Sequence, residues 1–572
     1  MSTRFRTFAP SPVLAVALAA TVVAACGGSD GPPAAPQLAA ATPGTLQSCT
    51  DLVGRAAFAN TTLTAATLVP AGTLTVAGQP VGEHCLVTGR MFSRVSPVDG
   101  QTYAIGFEMR LPRAWNGRFF HQVNGGTDGA VLTATGGIGG GGPLTSGLQQ
   151  GFAVISSDAG HTAAQNPLFG LDPQARLDYG YQAVGKLTPM AKALIATAYG
   201  KGPDRSYLVG CSNGGRHAMV GAARYADQYD GILAGNPGFN LPKAAVAQLY
   251  GAQQFDTTAT NPADLGSAFT PAERALVAGK VLERCDALDG ARDGLVQDVQ
   301  ACKTAFSLDR DVPTCSGART GSCLSGAQKT ALGNIFKGAR NSAGTAVYAS
   351  FPYDAGITSS NWAGWKFSSS IGAARDPVAV GFIFQVPPAP VSILADTKAF
   401  ALGFSMDTDA PKIAATSARY TESALSFMTP PPGDLSTLHD RGAKMMVYHG
   451  VSDGVFSPDD TVAWYDQLRA SRGGYAADFA RLYLVPGMNH CSGGPATDQF
   501  DMVNALVQWV EQGRAPDRVV ATARGTGNAG GVNTELPAGW SAGRSRPLCA
   551  YPQVARYNGS GDTESAASFT CQ

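Results

Sequence analysis

The 572-residue sequence has no net charge, with 42 basic side chains against 42 acidic, and only 15% of its residues are charged. A chain without a charge excess implies no polyanionic partner, which argues against nucleic acid and broad anionic surfaces. The apolar run at residues 13–25 is shorter than the ~20 residues a membrane-spanning helix needs. No two of the eleven cysteines are spaced Cys-x-x-Cys, which argues against a zinc site. No Gly-Lys-Ser/Thr follows a glycine-rich stretch, so phosphate cradling of the P-loop kind is excluded.

What is there points to export. Arg4 and Arg6 precede the short apolar run, which ends Val23-Ala24-Ala25-Cys26. Small residues directly before Cys read as a lipoprotein-type signal peptide over residues 1–26, with Cys26 as the lipidated residue; ordinary cleavage with a free Cys is the rival. Residues 27–42, rich in Gly, Ala and Pro, read as a flexible tether. The expected location is periplasmic, outer-membrane-anchored or secreted. Setting Cys26 aside leaves ten cysteines, an even set that reads as five disulfides in an exported chain. Proximity favours Cys49–Cys85, Cys285–Cys302, Cys315–Cys323 and Cys549–Cys571, leaving Cys211 with Cys491.

Strand-like runs at 101–111, 118–123, 152–158, 207–209, 229–233, 445–448 and 481–485 alternate with helical spacing, which argues a mostly parallel α/β sheet. The stretch before residue 90 reads only as a segment stapled to this body. Residues 240–436 exceed any loop and read as an inserted lid domain between two parts of the core, 43–239 and 437–572.

One stretch organises the rest. Gly210-Cys211-Ser212-Asn213-Gly214-Gly215 lies between a strand-like and a helix-like run, the setting of a nucleophile elbow. Such a turn lifts a serine hydroxyl from the sheet edge and aims the amide of Asn213 at a developing oxyanion. A Gly-rich turn without chemistry is the bland alternative. The glycine-rich loop from Asn124 follows an early strand, where hydrolase folds place the other oxyanion amide.

A serine nucleophile needs a base and an acid to orient it. Asp453 and His490 each follow a late strand, completing the order Ser, Asp, His that α/β-hydrolases use. Asp459 and Asp460 rival Asp453 from beyond the strand end. Of the seven histidines, His217 is expected at the surface of the helix after the elbow, and His449 and His161 as pocket wall. A Cys211–Cys491 bridge holds its Cα atoms within about 7 Å and so sets Ser212 beside His490.

The segment 286–298 alternates Asp and Gly. It reads equally as oxygen ligands for a hard cation or as two solvated Asp-Gly turns.

The stretches 115–120, 170–178, 285–290 and 485–495, together with the Cys-Ser pair, the late Asp and the His-Cys pair, resemble the tannase and feruloyl esterase family. The resemblance implies an α/β-hydrolase core with a lid holding structural Ca2+. It implies Ser212, Asp453 and His490 as catalytic residues, with oxyanion amides at Gly126 and Asn213. Asp286, Asp289 and Asp293, with the carbonyls of Ala291 and Leu295, become the calcium ligands, and Trp365, Phe456 and Phe382 the substrate walls. The implied activity is an exported serine esterase cleaving small esters of aromatic acids. An alternative substrate is an aromatic monoester with a free distal carboxylate. The lid arginine that would grip it has no match: Val378 falls there, with Arg375 nearby. A secreted peptidase or a binding protein without turnover on the same scaffold are further alternatives.

Overall fold

The computed structural model describes residues 1–2 and 35–572, so the expected signal peptide, Cys26 and residues 27–34 of the tether lie outside the described residues. In chain order the strands of the principal sheet are β1 (Thr61–Val69), β2 (His84–Val95), β3 (Thr102–Pro112), β4 (Arg118–Gln122), β5 (Ala153–Ser157), β6 (Arg205–Cys211), β7 (Gly231–Gly235), β8 (Lys444–Gly450) and β9 (Ala480–Val485). They lie in the order β9-β8-β7-β6-β4-β5-β3-β2-β1. From β9 to β5 every neighbouring pair is parallel; β3, β2 and β1 extend the sheet antiparallel. The segment read only as stapled to the body thus supplies two strands, paired with each other antiparallel, and the Cys49–Cys85 bridge ties the second to the chain before them. The four proximity-based pairings and the remaining Cys211–Cys491 pair are all formed.

Continuous apolar runs form the middle of the sheet because both of its faces are covered. All seven residues of β8 are buried. On one face Leu208, Ile232, Met445 and Leu482 pack against α1 (Ala183–Tyr199) and α2 (Asn213–Arg224). On the other, Tyr207, Val209, Leu233 and Met446 pack against the closing helix α6 (Met502–Gln512). A side chain such as Leu208, fully buried, contributes about 1.5–3 kcal/mol.

Between β7 and β8 the chain adds no strand to this sheet among the described residues. It forms helices instead, among them α3 (Leu241–Asp256) and α4 (Pro271–Cys285). Thr270 and Glu273 close a capping box at the start of α4, satisfying amides the helix leaves free. The apolar core of this insertion, including Phe255, Trp362 and Phe367, also takes in Val455 and Phe456 from the loop after β8. α5 (Pro458–Ser471) then follows.

The parallel arrangement sets the loops after β4, β6, β7, β8 and β9 along one edge, where ligands of open α/β sheets bind. At β6 the turn is tight. A Cβ on Gly214 would lie 2.4 Å from the carbonyl oxygen of Val123, and one on Gly210 would lie 2.6 Å from the same atom. Only hydrogen fits between strand and helix. Gly214→Ala is therefore expected to lower the midpoint of thermal unfolding, at a cost of about 1–3 kcal/mol. Unchanged melting would show that the turn has slack the packing does not reveal.

Candidate active site

Ser212 sits between β6 and α2 with φ 67° and ψ −127°, a backbone state costly for a residue with a side chain. Its Oγ is 2.7 Å from His490 Nε2, and His490 Nδ1 is 2.8 Å from Asp453 Oδ2. Asp453 is itself fixed. Its Oδ1 accepts from the amides of Val455 and Phe456 at 2.8 and 3.1 Å, and Oδ2 accepts from Asn236 Nδ2 at 2.7 Å. Burial alone would raise this carboxyl, but the imidazoles of His490 and His449 hold it far below the usual carboxylate range. The carboxylate thus faces Nδ1 of an imidazole whose other nitrogen, Nε2, meets the serine. Cys211 and Cys491 are bonded, with Cα atoms 6.1 Å apart. Asp459 and Asp460 lie on α5, bonded to other partners: Asp460 accepts from Asn240 Nδ2 at 3.0 Å, and Asp459 from Lys303 Nζ at 2.7 Å.

The glycine-rich loop runs past the serine. Gly126 has φ +68°, and a Cβ on Gly125 would stand 3.6 Å from Ser212 Cβ. The amide of Asn213 opens α2, where N–H groups have no partner within the helix. Both expected oxyanion residues thus border the serine.

A pocket opens over Ser212, Gly126 and Asn213, walled by Trp365, Phe384 and Phe456, with Tyr179, Arg375 and Asp376 as its polar groups. Trp365 and Phe456 meet the His490 ring edge-to-face at 5.3 and 5.2 Å. The Arg375 guanidinium lies over Trp365, 5.4 Å from its ring centre. Tyr179 Oη and Asp376 Oδ2 are buried without a hydrogen-bond partner. Burial pushes the Asp376 carboxyl up to about 7.

Two expected positions shift. Phe382 does not line the pocket: in the wide helical turn Ala379–Phe384 it faces the interior, and its carbonyl closes on Gly170. Phe384, two residues on, forms the wall. Val378 is also buried away from the cavity, and the cation that reaches it is Arg375, at the start of that helical segment. Ordinary helical spacing conceals both, because a π-helical turn rotates side chains out of the 3.6-residue register.

Three histidines also differ from expectation. His217 is buried, its Nε2 2.8 Å from Asp128 Oδ2. His449 lies behind the acid, 2.9 Å from Thr461 Oγ1. His161 stacks on Phe169 at 3.6 Å and meets the carbonyl of Thr127. Asp128 went unread in the sequence, although its place in the glycine-rich loop was the available signal.

In the Asp-Gly segment, Asp286 Oδ1 accepts from the amides of Asp293 and Gly294, and Asp293 pairs with the buried Arg546. Among the described residues no three carboxylates or imidazoles stand close enough to form a ready cage. Yet Asp289 Oδ2 is buried with no partner, and burial, with Asp293 and Asp286 nearby, pushes its carboxyl up to about 7. An orphaned carboxylate beside two others suits a hard cation, although Arg546 and Arg544 already pair with Asp293.

The family model described as tannase and feruloyl esterase matches residues 85–572. The chain is 41% identical over 532 residues to mono(2-hydroxyethyl) terephthalate hydrolase of Piscinibacter sakaiensis, covering 87% of this chain and 86% of that one. It is 26% identical over 490 residues to a probable feruloyl esterase B-2 of Neosartorya fischeri, covering 82% and 83%. The crystal structure of feruloyl esterase B from Aspergillus oryzae superposes with a TM-score of 0.72 at 23% identity, covering 92% and 99%, and shares the fold.

A serine hydrogen-bonded in this way should be a reactive nucleophile. A fluorophosphonate is expected to label Ser212, and Asp453→Asn to slow labelling at least about 100-fold, since the same change in a serine protease triad costs about 10⁴ in turnover. Equal labelling rates would break the link between the acid and the serine.

Proposed function

Because the chain belongs to the tannase and feruloyl esterase family, and so is a carboxylic ester hydrolase, we propose that Ser212, His490 and Asp453 cleave esters of aromatic acids through an acyl-enzyme. The carrying observation is the continuous Ser212–His490–Asp453 hydrogen-bond chain at the floor of an aromatic-walled pocket. Ser212 Oγ attacks the ester carbonyl carbon while His490 Nε2 takes its proton, and Asp453 holds the imidazole in the tautomer this requires. The amides of Gly126 and Asn213 receive the oxyanion. His490 then protonates the departing alcohol. In the second half, His490 draws a proton from water, which attacks the acyl carbon and releases the acid. The acyl ring lies between Trp365, Phe384 and Phe456.

A second reading of the acyl group has its own support. Arg375 brings a guanidinium to the pocket wall, and a relative at 41% identity is a mono(2-hydroxyethyl) terephthalate hydrolase. A guanidinium there suits a distal free carboxylate, which it would grip with two hydrogen bonds. Asp376, beside it, opposes a second anion and instead accepts from a phenolic hydroxyl. The neutral or phenolic ester is therefore the preferred substrate, with the carboxylate-bearing monoester as the alternative.

Calcium enters this proposal as a structural ion. Asp286, Asp289 and Asp293 with the carbonyls of Ala291 and Leu295 would hold it, and it would neutralise carboxylates the fold crowds together without touching the reaction. Export belongs here too. The five disulfides suggest an extracellular or periplasmic protein, and no helix among the described residues is long and apolar enough to cross a membrane. Signal cleavage before Cys26, with lipid attached there, would make it a lipoprotein.

Turnover of methyl ferulate, methyl gallate and mono(2-hydroxyethyl) terephthalate tests the reading: all detectable activity should vanish in Ser212→Ala. Arg375→Ala should leave kcat/KM for the methyl esters within about twofold and lower it for the charged monoester about tenfold or more, the worth of a charge-assisted bidentate contact. A clear wild-type preference for the charged monoester would reverse the ranking of the two substrates.

EDTA should lower the melting temperature and added Ca2+ restore it, since an ion bound only to the folded chain stabilises it by mass action. Asp289→Ala should melt early and ignore both. Identical melting of the wild type in EDTA and in Ca2+ would leave the segment as two turns.

A further inference from the structure

Behind the nucleophile lies a second buried polar cluster that the Ser212–His490–Asp453 chain does not use. At its centre is Asp128, whose side chain is only 1% exposed. Its Oδ2 accepts from Asn213 Nδ2 at 2.7 Å and lies 2.8 Å from His217 Nε2. Arg216 completes the group. Its Nε donates to Asn213 Oδ1 at 2.6 Å, and its Nη1 and Nη2 to the carbonyls of Gly180 and Tyr179 at 2.6 and 3.0 Å. Both ends of the Asn213 amide group are therefore engaged, and its side chain cannot turn without breaking a buried hydrogen bond.

The two oxyanion amides belong to different parts of the chain. Gly126 lies in the loop after β4, two residues before Asp128, whereas Asn213 opens α2. The loop's outer side is anchored to its own surroundings: Asn166 Nδ2 donates to the Asp128 carbonyl at 3.1 Å, and the amide of Gly129 donates to the Asp158 carbonyl at 3.1 Å. Toward the helix, the side-chain anchor is the Asp128 carboxylate. Gly126 at φ +68° and Asp128 at φ +54° both hold left-handed backbone, which is free for the glycine but at Asp128 persists only where surroundings enforce it. Oxyanion donors act within a range of about 2.7–3.1 Å from the oxygen, so the spacing between loop and helix sets whether both can act at once.

We propose that Asp128 is a positioning residue for the oxyanion hole, holding the Gly126 amide in register with that of Asn213 by clamping the Asn213 and His217 side chains to the glycine-rich loop. The proposal rests on the esterase reading above. Asp128 touches neither the serine nor the ester; it acts through the backbone it fixes. A cluster that served stability alone would leave the geometry of the hole untouched in whatever protein remained folded.

The test uses the full chain with methyl ferulate as substrate and an aryl trifluoromethyl ketone as probe. The ketone reports the hole directly. Ser212 Oγ adds to its carbonyl carbon, the proton passes to His490, and the carbonyl oxygen becomes an oxyanion between the two amides. In Asp128→Ala, kcat should fall about 10- to 100-fold while KM stays within about threefold, because a misplaced donor is felt in the transition state and not in ground-state binding. Affinity for the ketone should fall by the same factor, and inhibition by ferulate should not change. Asn213→Ala keeps its backbone amide but frees Asp128, so the double variant should be no slower than Asp128→Ala alone. Asp128→Asn is isosteric and can set its one carbonyl oxygen where the contacts from Asn213 and His217 converge, so it should lose less, and it serves where Asp128→Ala fails to fold by circular dichroism. A folded variant with unchanged kcat, or one that loses rate without losing ketone affinity, overturns the proposal. So do independent, multiplicative losses in the double variant. A wild-type chain that neither hydrolyses the ester nor takes a fluorophosphonate label would overturn the esterase reading and the proposal with it, an outcome visible before any Asp128 variant is made.

Discussion

The Cys211–Cys491 disulfide joins the neighbour of the serine to the neighbour of the histidine across 280 positions of sequence. Strand order shows why the link matters. β6 and β9 are three places apart in the sheet, so at about 4.8 Å per strand their ends are about 14 Å from one another. The loop after β9 must return across the ends of β8 and β7 to bring His490 within 2.7 Å of Ser212. Hydrogen bonds steady it on the way: Asp354 Oδ2 accepts from the amide of Gly487 and from Ser452 Oγ, and Asn489 Nδ2 donates to the carbonyls of Gly356 and Ser452. The covalent bond fixes the far end. Cys491 itself sits at φ 66°, a left-handed backbone that the bridge helps to hold.

Those same hydrogen bonds bind the insertion to the catalytic edge. Asp354 and Gly356 lie between β7 and β8 in sequence, yet they hold the loops that carry Asp453 and His490. Phe456 belongs to the insertion's apolar core while flanking His490. The insertion is thus more than a cover. Part of the scaffolding of Asp453 and His490 lies in it, and Trp365 and Phe384 bring the pocket walls from the same segment.

Much of this was legible in the sequence, for identifiable reasons. The parallel strands announced themselves as continuous apolar runs, because burial on both faces leaves no alternation. Ser212, Asp453 and His490 each followed such a run, and the odd cysteine pair gave an independent reason to set serine and histidine together. Local spacing failed where the backbone left regular geometry. Phe382 and Phe384 differ by two residues, and only the wide turn at Ala379–Phe384 decides which one meets the cavity. His217 looked like a surface residue because it lies on the helix just after the elbow. Its partner, Asp128, comes from a loop on another strand, and a pairing across 89 positions has no local signature. The strands at Thr61–Val69 and His84–Val95 were missed because an edge hairpin exposed on one face carries a weaker apolar pattern.

The two aromatic rings set edge-to-face on His490 have a consequence for how this scaffold can diversify. Trp365 and Phe456 are at once the walls that an acyl ring would touch and the rings that hold the imidazole upright. Trimming either to admit a bulkier acid also loosens the base, so a lineage exploring new substrates through these two positions trades catalytic rate for breadth at every step. Phe384 and Ala379 also border the cavity, whereas Arg375 lies over Trp365 and so touches one of those two rings. Drift in acyl preference is therefore channelled through Phe384 and Ala379, where the lineage can change its diet without retuning its engine.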